Sequence, residues 1–155
     1  MIMLEPSIFH VNLFVHLVAA SLWLGLTLNF SLLMVPLIRD LPEEVAEAQM
    51  EDIGKRARRM VSFLVLVLVV TGLVNLHRVG MLNFSGAWSS AYGVTAMAKI
   101  GLALSLFLAF PFIFVLVHRY GSDELSHRIT RMNYLHWSIS VVTLVIMFWG
   151  VVLNG

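Results

Sequence analysis

VNLFVHLVAASLWLGLTLNF, residues 11–30, decides the fold. It holds no acidic residue, Lys or Arg over a length that crosses a bilayer, since a spanning helix needs about 20 apolar residues. Its polar groups are ordered. Asn12, His16, Trp23 and Thr27 follow at steps of four, seven and four, which sets them on one stripe of an α-helix. Imidazole is costly in hydrocarbon, so His16 must face protein, water or a bound group. The stripe predicts a membrane helix that carries part of a site.

Working outward, the whole chain has the composition of a membrane protein. Of its 155 residues 59 % are hydrophobic and 12 % charged, against about a quarter charged in soluble domains. The formal net charge of +1 gives no reason to expect nucleic acid as a partner. With no Cys, disulfides, thiolate metal sites, iron–sulfur clusters and cysteine nucleophiles are excluded. No nucleophile elbow or HExxH motif is present, and acidic residues are missing from the apolar stretches. Hydrolase chemistry and a carboxylate proton relay therefore find no support. The first apolar run lacks a basic leader and a small-residue cleavage site, so it is expected to be a retained span.

Four apolar stretches are long enough to cross, at residues 7–35, 57–79, 94–117 and 131–153. The expectation is an all-α integral membrane protein, a four-transmembrane-helix up-down-up-down bundle forming a single domain over 1–155. Pro36 should stop the first span. Residues 37–56, polar and opening on Pro42-Glu43-Glu44, should form a cytoplasmic amphipathic segment at the membrane surface. GMLNFSGAWSSAYG reads as a loop, and Pro111 as a kink in the third span. Lys and Arg concentrate in the first connection (Arg39, Lys55, Arg56, Arg58, Arg59) and the third (Arg119, Arg128, Arg131). The positive-inside rule then puts both termini outside, the basic loops in the cytoplasm and the chain in the inner membrane.

Threading that topology sorts the polar side chains by depth. On the outer side His10 lies near the surface and His16 about 12 Å down; Lys99 lies about 8 Å down the third span. His77 and Arg78 close the outer end of the second span, whose face carries Thr71, Asn75 and Arg78. On the inner side His118 and His136 form a weaker pair. Two imidazoles projecting inward from facing helices suit an axially ligated haem b, with basic residues offsetting its propionates. His16 and His77 are the expected ligands, with His10 as substitute. Lys99, Arg78, Asn12 and Trp23 complete the expected cofactor site. No CxxCH is present, so c-type attachment is excluded. The same His residues, with Met81 and Met97 near the outer layer, are the alternative copper ligands.

FVHLVAASLWLGLTLNFSLLMVPLI, RARRMVSFLVLVLVVTGLVNL and YGVTAMAKIGLALSLFLAF together resemble the four-helix membrane unit of the copper-resistance protein D family. That unit is similar in turn to the small haem-containing protoporphyrinogen oxidases of bacteria. The matching elements are His16 seven residues before Trp23-Leu24-Gly25, Thr71-Gly72, and Lys99. Arg131 and Asn133 also match the oxidases, but their Asn-Glu-Pro is here Asn133-Tyr134-Leu135. The resemblance implies a four-helix fold, with copper handling or haem-linked redox chemistry, and carries over His16 and Lys99. This chain would be a stand-alone version of a core that is larger in most of the family. The expected function is a membrane haem-b redox protein with its site near the outer leaflet. It would pass electrons, or act as an oxidoreductase on a tetrapyrrole or quinol. The alternatives are a copper-handling membrane protein and a structural subunit of a larger membrane complex. A homo-oligomer in the lipid bilayer is expected, because four helices enclose a small interior.

Overall fold

A computed structural model describes residues 6–78, 91–119 and 125–152, and within these every element is a helix. The first, α1 (Pro6–Asn29), contains the whole polar stripe. A π-helical turn follows at Phe30–Met34, then α2 (Val35–Arg39). The stop expected at Pro36 is not there; the helix continues through it. Pro36 has no N–H for the carbonyl four residues back, and its ring would crowd that carbonyl. The chain widens by one residue instead, and Val35 N–H bonds to the Phe30 carbonyl. The break comes later, at Asp40–Pro42, where Leu41 N–H donates to Ile38 O at 3.2 Å and Ala46 N–H to Pro42 O at 2.9 Å.

The polar segment expected at residues 37–56 is no separate element. Its first residues close α2, and from Glu43 it forms the opening turns of α3 (Glu43–Arg78), a continuous helix of 36 residues. Glu43 and Glu44 suit the positive end of its dipole, and no proline interrupts it. At 1.5 Å per residue α3 is about 54 Å long, well beyond a hydrocarbon core of about 30 Å. The excess is its charged beginning, laced by Lys55–Glu51 at 2.7 Å and Arg56–Asp52 at 2.9 Å. Next come α4 (Ala91–Arg119) and α5 (Leu125–Val152). The glycine-rich loop falls largely on residues 79–90, outside the described residues, as do the side chains of Arg78, Pro111 and His118.

Side-chain pairings set the helix directions. Asn12 lies opposite Asn75 and His16 opposite Thr71, so α1 and α3 are antiparallel. Thr27 faces Ser140, Phe30 faces His136 and Arg39 faces Thr130, so α5 also runs antiparallel to α1. Two apolar layers hold the bundle. Ala19, Trp23, Leu64 and Ile139 form the middle one, with Leu106 and Phe107 of α4 packed against it. Val35, Ile38, Ala46, Leu125 and Ile129 form the other, where α2, α3 and α5 meet. The Arg128–Glu47 pair at 3.3 Å ties α5 to α3 at this end.

The outward faces are apolar: Phe14, Phe63, Leu108 and Phe148 are each about two-thirds exposed or more. Three described helical stretches, Ser7–Arg39, Glu43–His77 and Leu125–Trp149, are long and apolar enough to cross a membrane, and Ala96–Leu108 is a shorter apolar stretch. Apolar side chains facing outward along such helices belong in lipid.

Candidate functional site

The polar stripe of α1 meets a matching polar pair on α3. Asn12 and His16 are four residues apart, as are Thr71 and Asn75, so each pair stands on one helix face. With the helices antiparallel, the two pairs meet. The Asn12 amide donates to the Thr71 carbonyl at 3.0 Å and to Asn75 Oδ1 at 2.8 Å. His16 Nδ1 lies 2.7 Å from Thr71 Oγ1. Thr71 Oγ1 in turn donates to Val67 O at 2.6 Å.

That last bond assigns the imidazole tautomer. A hydroxyl has one proton, and a carbonyl can only accept it. With the Thr71 proton committed to Val67, Thr71 Oγ1 must accept from His16 Nδ1–H. The His16 Nε2 lone pair is then unprotonated, and among the described residues it has no hydrogen-bond partner. Gly72 lies beside the ring, where a Cβ would stand in ordinary contact, 3.6 Å from His16 Cε1. Lys99, partly buried on α4, is near enough for its charge to act on His16.

The other expected site residues fall elsewhere. Trp23 is 4 % exposed and sits edge-on to Phe107, ring centroids 5.8 Å apart; it lies in the middle apolar layer. His77 is exposed on α3, about 9 Å along the axis from Thr71, and makes no described contact with His16. His10 is exposed, its ring edge-on to Phe9. His136 lies in a deeper layer of α5, stacked on Phe30 at 4.1 Å, with Nδ1 donating to Met132 O at 2.8 Å. Among the described residues no three His, Cys, Asp or Glu side chains gather. His16 therefore offers one nitrogen, with its other ring nitrogen tethered.

The sequence profile of the copper resistance protein D family matches residues 51–150. The chain belongs to the copper resistance protein D family. Thr71, Lys99 and His136 lie within the matched residues; Asn12 and His16 precede them. The chain is accordingly an integral membrane protein of a copper-related family. An uncharacterized protein of Aquifex aeolicus (strain VF5) is 42 % identical over 66 residues, which cover 42 % of this chain and 46 % of that protein. The match thus spans less than half the length of that relative. No solved structure gives a significant match.

Thr71 and Asn75 were not among the expected site residues, although they hold His16 and Asn12. Their signal was available: an i, i+4 polar pair in a Val- and Leu-rich helix, equal in spacing to the Asn12–His16 pair on the neighbouring one. Thr27 and Ser140 make a second such junction. Ser140 Oγ, fully buried, lies 2.8 Å from both Thr27 Oγ1 and the His136 carbonyl.

Proposed function

We propose that this protein handles copper within the membrane, with His16 Nε2 as the nitrogen that receives the ion. The tether from His16 Nδ1 to Thr71 carries the reading. Histidines that bind metals nearly always donate their other ring N–H to a neighbour, which sets tautomer and orientation. Membership of a copper resistance family supports the same choice of ion. An imidazole with no carboxylate beside it suits copper better than a hard divalent cation.

Two features favour transfer over storage. The described residues give His16 no partner ligand, so an ion there completes its coordination with water or a passing donor. The Lys99 ammonium nearby opposes a resident cation. The haem-b reading needs a second imidazole in the layer of His16, whereas His77 and His10 are exposed and each six residues along its helix from that layer. Copper is the better supported of the two.

The same reading carries a topology. α4 is a further span, third in chain order, and the charged beginning of α3, with Lys55, Arg56, Arg58 and Arg59, stands in the cytoplasm with both termini outside, as the positive-inside rule favours. The site then opens toward the outer leaflet of the inner membrane, and copies of the chain associate through their apolar faces. The test is copper content after purification in mild detergent. Copper without a Soret band is expected. A Soret band that shifts on reduction and is lost in His16→Ala would return the haem reading. A metal-free chain that co-purifies with other subunits would support a structural role.

A further inference from the structure

Between the two apolar layers lies a second polar layer, and its hydrogen bonds do not close. The Ser31 hydroxyl, on a residue 5 % exposed, has no partner among the described residues, and neither has the buried Asn133 Oδ1. Buried polar groups left unpaired by protein are commonly completed by water or an ion. Ser31 follows Thr27 by one turn, inside the π-helical segment whose Phe30 stacks on His136. Asn133 precedes His136 by three residues, on the same face of α5. π-Turns inside helices frequently mark functional sites.

His136 resembles His16 in one respect. Its Nδ1 proton goes to the Met132 carbonyl, an acceptor only, so its Nε2 lone pair is unprotonated too. The layer is shut on the outer side by Trp23, Leu64 and Ile139 and on the inner side by Val35, Ile38 and Ile129. We infer that this layer is a second, occluded site for a soft monovalent cation, Cu(I), with His136 Nε2 as its nitrogen ligand. The donors described there are an imidazole, a hydroxyl and an amide oxygen, and Met132, one turn before His136 on the same side of α5, brings a thioether near by. None carries a negative charge, so a divalent ion would stay uncompensated. Nitrogen and thioether donors favour copper(I). The inference rests on the copper reading and adds a station about 16 Å further along α1, reckoned from His16 to Thr27.

The test uses the full chain in detergent micelles, titrated with Ag(I) as a closed-shell stand-in for Cu(I). Histidine ring nitrogens are followed by ¹⁵N NMR and bound metal is counted. Two equivalents are expected, with Nε2 of both His16 and His136 shifting. His136→Ala removes one equivalent and His16→Ala the other. Should His136→Ala fail to fold, the pair Ser31→Ala and Asn133→Leu takes its place, and about tenfold weaker binding at His136 is expected. One equivalent, lost in His16→Ala and unchanged in His136→Ala, overturns the inner site and leaves the copper reading standing. A protonated His136 Nε2 that ignores Ag(I) does the same. No bound metal in the wild type overturns both.

Discussion

His16 is the residue on which the chemistry turns, and Thr71 sets its state. Thr71→Val keeps the shape and removes the oxygen that accepts the Nδ1 proton. Copper affinity should fall by about 10- to 100-fold, the usual cost of losing the group that orients a ligand. A competitive chelator titration measures it, and a change under about twofold would show that the tether does not matter. Lys99→Met acts in the opposite direction. Removing the ammonium should tighten copper retention by about tenfold, for about 1.4 kcal/mol, and weaker retention would contradict the transfer reading. The stripe of Asn12 and His16 was legible in the sequence because four-residue spacing fixes a helix face. Their partners were harder to read, since spacing along one helix does not say which face of the next is turned toward it. Trp23 shows the limit. Its place on the stripe suggested the site, yet it fills the apolar layer against Phe107 and Leu64. His77, exposed about 9 Å along α3 from Thr71, lies outside the layer of His16.

At the scale of elements, Pro36 and the π-turn before it place Phe30, Ser31 and the residues of α2. A proline inside a helix forbids the regular bond to the carbonyl four residues back, and the extra residue of the π-turn absorbs the conflict. Pro36→Ala should let the turn relax to α-helix, rotating α2 by about 100° relative to α1. The chain has no Cys, so introduced pairs report cleanly. A Cys pair at Thr27 and Ser140 should cross-link with or without the change, and a pair at Arg39 and Thr130 should lose cross-linking with it. Equal cross-linking of both pairs would show that the π-turn does not depend on Pro36. The sequence marked Pro36 as a boundary but not the way round it. The length of α3 was missed for a related reason. The shift from polar to apolar composition near residue 57 marks where lipid begins and is no helix break. Gly54 alone costs about 1 kcal/mol, too little to end a helix of 36 residues.

For the whole molecule, composition was the strong signal. Low charge and long apolar runs predicted a helical membrane protein, and the described helices with their outward Phe and Leu agree. The proposed orientation is testable with the same Cys-free background. A membrane-impermeant thiol reagent should label Cys placed at Glu51 only from the cytoplasmic side and Cys placed at Ser7 only from the outer side. The reverse pattern would invert the site and put His16 near the inner leaflet. Haem against copper was beyond the sequence, because both use imidazole in a bundle and differ in what faces it across the interior. The most direct measurement is the Cu(I) affinity of the purified chain and of His16→Ala, by chelator competition in detergent. The predicted result is a loss of at least about 100-fold in the variant, beyond what losing an orienting group costs. Equal affinity in the two proteins would contradict a role for His16 in holding the ion.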